Sequence, residues 1–148
     1  MTQKDDRLLV VNVDGLCEPV NPGGTATSGY VIRDESGSLI ATKSGVVGKG
    51  AGMSNNVAEY AALCECLDLL LDRGMTDSPI EVRSDSTLVV NQMVGKWKFR
   101  KGLYEKKYFE AKRLIANFTK LSFRWVPREQ NEEADLLSRE AYATATKR

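Results

Sequence analysis

The chain contains no histidine. That absence excludes Ser-His-Asp and Cys-His nucleophilic catalysis, histidine general bases and every zinc site that needs imidazole. A hydrolase built from this sequence has to work with carboxylates and with hard, oxygen-preferring cations. An excess of charge is also lacking, since 21 basic and 20 acidic residues leave a formal net charge of +1. The molecule is no polycation, so any nucleic-acid surface requires its basic residues to be gathered on one side. Cysteine is scarce and odd in number. Cys17, Cys64 and Cys66 show no disulfide-framework spacing, and Cys64 and Cys66 lie two apart in a helical pattern, which points them in different directions. Reduced thiols and a cytoplasmic location are expected. The opening segment MTQKDDRLLV has no apolar run of signal-peptide or membrane-span length.

What is present fits one globular domain over residues 1–148, with 42% apolar residues to build a core. Leu8 to Val13 is an apolar run interrupted by Asn12, which predicts a buried strand ending at Asp14-Gly15. Asn21-Pro22-Gly23-Gly24 signals a turn. Gly29–Arg33 and Ser38–Val47 flank Asp34-Glu35-Ser36-Gly37 as a hairpin. Ser54 to Asp72 reads as a helix capped by Ser54 or Asn55, with Ala58, Ala62, Cys66, Leu69 and Leu70 at helical spacing. A short strand at Ile80 and Val82 follows, ending at Ser84-Asp85. Helices over Thr87–Met93 and Tyr104–Phe118 come next, then an alternating strand at Leu121, Phe123 and Trp125. Asn131 is expected to cap a last helix to about Ala143, followed by a frayed tail. This order predicts an α/β fold, a mixed sheet with helices on its faces.

Four acids stand at the ends of these elements: Asp14, Glu59, Asp85 and Asp135. Glu59 is in register with the apolar stripe of its helix, and Asp135 lies near the start of the last helix among Ala134, Leu136 and Leu137. Singly, each has an ordinary explanation, because acids commonly complement helix dipoles or begin turns. Together they could converge, and clustered carboxylates require cations to stay ionised. Periodicity makes a metal site plausible without proving the convergence.

At this point the residues resemble the type 1 ribonuclease H family. The resemblance rests on Val11-Asn12-Val13-Asp14-Gly15, Asn21-Pro22-Gly23, Ser54-Asn55-Asn56-Val57-Ala58-Glu59, Ser84-Asp85-Ser86 and Asn131-Glu132-Glu133-Ala134-Asp135, in the family's order from about Leu8 to Ala143. Val90-Asn91-Gln92 to Trp97-Lys98, with Val126-Pro127-Arg128-Glu129-Gln130-Asn131, is similar to the branch of short archaeal and bacterial enzymes and related plant domains. The resemblance implies a five-stranded ribonuclease H-like sheet flanked by helices in the order βββαβαβα. It implies hydrolysis of the RNA strand of RNA/DNA hybrids by two Mg2+ ions, with Mn2+ as the alternative, giving 5′-phosphate and 3′-hydroxyl ends. Asp14, Glu59, Asp85 and Asp135 would be the ligands, with Asp14 bridging. Gly15 through its backbone and Asn21, Asn55 and Asn56 through their side chains would touch the minor groove, where 2′-hydroxyls are displayed. Ser54 would hold a phosphate of the DNA strand. A monomer without membrane contact is expected.

The sequence also departs from the family. Many bacterial members carry a histidine before the last helix. Here that loop is shortened to Pro127–Gln130, and Arg128 is the candidate stand-in, offering charge without a proton shuttle, or else a solvated loop residue. Thr87 replaces a common glutamine, and the asparagine that helps hold the DNA phosphate has no counterpart. Lys96, Trp97 and Lys98, with Phe99, Arg100 and Lys101, interleave basic and aromatic groups in a way that suits nucleic-acid contact. The competing explanation tucks Trp97 or Phe99 into the core. Lys106, Lys107, Lys112 and Arg113 read as a solvated helix face. Double-stranded RNA is the alternative substrate, and a hybrid-binding module without catalysis is the alternative function.

Overall fold

The computed structural model describes residues 6–147. Five strands, β1 (Leu9–Glu18), β2 (Thr25–Asp34), β3 (Leu39–Lys49), β4 (Ile80–Ser84) and β5 (Leu121–Trp125), form one mixed sheet in the order β3-β2-β1-β4-β5. The first three strands pair antiparallel, while β4 runs parallel to β1 and β5 parallel to β4. Four helices accompany them: α1 (Asn55–Asp72), α2 (Thr87–Met93), α3 (Glu105–Ile115) and α4 (Glu132–Thr146). The sequence expectation of a mixed sheet flanked by helices is met.

The two faces of the sheet can be read from β2. Tyr30 and Ile32 join the core shared with α1, and Ser28 donates to Glu65 of α1. The alternate residues meet α4: Thr27 donates to the Ser138 carbonyl and Arg33 pairs with Glu133. Side chains of a strand alternate between faces, so α1 and α4 cover opposite sides. Leu9, Val11 and Val13 of β1 and Ile80 and Val82 of β4 complete the core against Leu63, Leu67 and Leu70. Each such aliphatic side chain contributes about 1.5–3 kcal/mol on burial. Helix α1 is buried nearly all round because α3 packs on its outer side. Among the described residues no helix is long and apolar enough to cross a membrane.

Several element boundaries differ from the sequence expectation. Strand β1 does not stop at Asp14 but runs on to Glu18, because residues through Glu18 keep pairing with β2. The hairpin strands are likewise longer, beginning at Thr25 and ending at Lys49. Helix α3 starts at Glu105 and stops at Ile115. Helix α4 continues to Thr146, so Ala143–Thr146 is helical and not a frayed tail; Arg148 lies outside the described residues. Ser54 is the residue that caps α1, accepting from the Val57 amide. Asn131 occupies the cap position of α4 without capping it, because its amide is spent on tertiary hydrogen bonds to β1. All three cysteines are buried free thiols. Burial pushes the Cys66 thiol well above its ordinary range and Cys64 up to about 12, which leaves both as inert packing groups.

Candidate active site

The parallel pairing of β1 with β4 brings two of the four acids together. Its last registered pair is Asn12 with Arg83, and two residues beyond on each strand lie Asp14 and Asp85. Glycines then admit the helices that carry the other two. A Cβ on Gly15 would collide with the Ala58 carbonyl carbon and lie 2.6 Å from the Glu59 nitrogen. On β2, Gly29 pairs with Asp14, and a Cβ there would lie 2.7 Å from the Ala134 carbonyl oxygen. Helix backbone therefore touches strand backbone beside Glu59 and beside Asp135, which a side chain at either glycine would prevent.

Hydrogen bonds fix the arrangement. The Asn131 amide donates to the Val13 carbonyl at 2.8 Å and its oxygen accepts from Asn12 at 2.9 Å, tying the start of α4 to β1 next to Asp14. Around Asp85, the Ser86 amide donates to Ser84 Oγ, Ser86 Oγ caps α2, and Trp125 Nε1 donates to the Asp85 carbonyl at 3.1 Å. At the start of α1, Asn21 Oδ1 accepts from the Asn55 amide and Asn55 Oδ1 accepts from the Cys17 amide.

Asp14, Glu59, Asp85 and Asp135 line a single cleft of about 440 Å³, together with Gly15, Asn55, Asn56 and Arg128. Asp14, Glu59 and Asp85 each offer a carboxylate oxygen within 4.8 Å of the others. Asp135 adjoins Asp14 and is bonded to Arg139, with Arg128 Nη2 at 3.7 Å. Burial, reinforced by the Asp85 charge, pushes the Asp14 carboxyl up to about 7. Burial and the charges of Asp14 and Asp85 hold Glu59 well above the usual carboxylate range. Asp85 is raised by burial, with Arg128 opposing and Asp135 reinforcing. Glu59 Oε2 is buried with no hydrogen-bond partner among the described residues. A nest of raised, partly orphaned carboxylates without nitrogen or sulfur ligands suits a hard divalent cation.

The remaining sequence-predicted residues divide between two places. Lys96, Trp97 and Lys98 line a second cleft of about 790 Å³, which shares Asn56 and Leu88 with the first. Trp97 is 48% exposed, so it is not part of the core. Phe99 instead stacks on Tyr108 and packs against Tyr104 and Phe109. Ser54 and Asn21 line neither cleft; their oxygens serve the start of α1. Sequence reasoning overlooked Arg139 and Glu18, which also line the acidic cleft. Arg139 could have been found as the residue four beyond Asp135 on a helix, whereas Glu18 gave no periodic signal. It also overlooked Gly29, which opens the expected strand; only the start of β2 at Thr25 places it inside one, where a lone glycine often marks a close backbone approach.

Residues 12–141 match the family model described as reverse transcriptase-like. The chain is 37% identical over 121 residues to ribonuclease HI of Halobacterium salinarum, covering 82% of the chain and 58% of that protein. It is 33% identical over 137 residues to the bifunctional protein Rv2228c of Mycobacterium tuberculosis, covering 93% and 36% respectively. The chain thus spans only part of the length of these relatives. Among solved structures, LC11-RNase H1 in complex with an RNA/DNA hybrid superposes with a TM-score of 0.82 at 34% identity, covering 93% of this chain and 98% of that one.

Proposed function

Because the chain belongs to the type 1 ribonuclease H family within the reverse transcriptase-like group, we propose that it hydrolyses the RNA strand of RNA/DNA hybrids. One observation carries this reading: carboxylates from β1, α1, the turn after β4 and α4 line one cleft, three of them with oxygens within 4.8 Å of one another. Asp14, Glu59, Asp85 and Asp135 would hold two Mg2+ ions, with Mn2+ as the alternative. Bound there, such ions supply Lewis acidity for activating water and for the charge of the departing oxygen.

The chain's own residues do the rest. The carboxylates would present one fixed ligand frame to the ions, because their elements are clamped by Asn131 and by the Gly15 and Gly29 approaches. Arg128, at the cleft edge, offers its guanidinium to the phosphate. Water adds to phosphorus in line, the bond to the 3′ oxygen breaks, and the products carry 5′-phosphate and 3′-hydroxyl ends. Asn55 is anchored through its oxygen, which keeps its NH2 group as a donor for the minor groove, with Asn56 and the Gly15 backbone beside it. Lys96, Trp97 and Lys98 would receive the strand that continues past Asn56 into the second cleft.

The test uses end-labelled RNA/DNA, RNA/RNA and DNA/DNA duplexes with Mg2+, Mn2+ or chelator. Cleavage of RNA in the hybrid, lost in chelator, is expected, and fragment ends should be substrates for a phosphatase at the 5′ side. Cleavage of DNA would assign a different nuclease class. Binding of the hybrid without cleavage in either metal would leave a binding module. Cleavage of RNA/RNA at a comparable rate would widen the substrate to double-stranded RNA.

A further inference from the structure

Within the acidic cleft Asp135 is treated differently from the other three acids. Arg139 Nε donates to both its oxygens, at 3.2 and 3.1 Å, and Arg128 Nη2 lies 3.7 Å from Oδ1. Arg139 sits four residues on along the same helix, so this pair forms as soon as α4 does. Asp14, Glu59 and Asp85 each offer a carboxylate oxygen within 4.8 Å of the others, and Asp14 also meets the Asp135 carboxyl. Arg139 also has a second acid within reach, since its Nη1 lies 4.0 Å from Glu18 Oε1 at the end of β1. Glu18 and Arg139 both line the cleft.

We propose that Arg139 is a resident counterion of this cleft, neutralising Asp135 in the absence of a divalent cation and passing to Glu18 when a cation takes the Asp135 carboxylate. The proposal rests on the reading of Asp135 as a ligand. A guanidinium beside a divalent cation is repelled by it, so a cation that uses Asp135 has to displace Arg139, whereas one held by Asp14, Glu59 and Asp85 does not. Cation binding therefore divides into a step only mildly affected by Arg139, whose charge also faces Asp14, and a weaker one that competes with it. Glu18 is the acceptor that makes the displacement cheap, because the guanidinium exchanges one carboxylate for another without being left bare. Arg139 acts through Asp135 and is a positioning residue.

Calorimetric titration of the full chain with Mn2+, and separately with Mg2+, reads this directly and independently of catalysis. Arg139→Gln is expected to tighten the weaker step by roughly threefold or more while leaving the tighter step within about twofold. Arg139→Lys, which keeps the charge, should stay close to the parent. Glu18→Gln should weaken the weaker step in the parent but have little effect once Arg139 is already Gln, since a general loss of negative charge would act equally in both backgrounds. Equal affinities in the parent and Arg139→Gln would overturn the proposal, as would a Glu18→Gln effect of the same size in both backgrounds. In parallel, the Mg2+ concentration for half-maximal hybrid cleavage should fall in Arg139→Gln. A parent that binds cations but cuts no hybrid would sink the nuclease reading and leave the titration comparison standing.

Discussion

At Asp14 the stability of the fold and the binding of cations pull in opposite directions. Its carboxyl is raised from the ordinary value of 3.8 to about 7, first by burial and then by Asp85. A raised carboxyl favours the protonated form in the folded state, so its contribution is fully present below the unfolded pKa and is lost as pH rises through the folded one. The metal-free protein should therefore lose on the order of 2–4 kcal/mol between about pH 4 and about pH 7, with Glu59 adding in the same direction. Thermal melts in chelator across that range should show the decline, and Mg2+ at pH 7.5 should reverse it; a flat profile in chelator would mean that the acids do not strain the fold. Asp14→Asn should abolish hybrid cleavage, keep the fold and flatten part of this decline. If most of the activity survived, Asp14 would not be a ligand. Arg128 is 64% exposed, so Arg128→Ala should change stability by no more than about 0.5 kcal/mol. Its cutting rate should nonetheless fall roughly tenfold, and an unchanged rate would return Arg128 to the solvated loop.

Among the elements, the two glycine approaches matter most to how the site is assembled. Helix α4 could not bring Asp135 beside β1 if Gly29 carried a side chain, because a Cβ would lie 2.7 Å from both the Ala134 oxygen and the Leu137 Cβ. Gly29→Ala should destabilise the protein by about 1–3 kcal/mol through overpacking and reduce cleavage further than the lost stability explains. Urea unfolding beside a cleavage assay checks both, and wild-type stability would show that the helix yields. The helix over Ser54–Asp72 and the strand at Ile80 and Val82 were legible because their spacing is a property of the local chain. The continuation of β1 to Glu18 was not, since it depends on pairing with β2. Asn131 illustrates the same limit. Its position marks a helix start, but whether its amide caps that helix or reaches Asn12 and Val13 depends on β1 lying within reach.

For the molecule as a whole, a net charge of +1 hides a division of sign, with an acidic cleft adjoining a basic one across Asn56 and Leu88. Attraction for a nucleic acid backbone then has to come from few residues. Replacing Lys96 and Lys98 together by Ala should weaken hybrid binding and reduce the slope of log affinity against log salt by roughly one to two. Fluorescence anisotropy with the cleavage-deficient Asp14→Asn chain measures this. An unchanged slope would move the substrate path away from the second cleft.

By itself the sequence determined the element types, the apolar stripes that bury them and the chemistry available, since the absence of histidine and the spacing of four acids limit what kind of hydrolase this can be. Only the tertiary structure decided that those acids share one cleft, how far burial raises three of them, and that Arg139 and Glu18 stand among them. The reason is that local pattern fixes which face a residue takes, while distances between elements are set by packing, and electrostatic energies follow those distances.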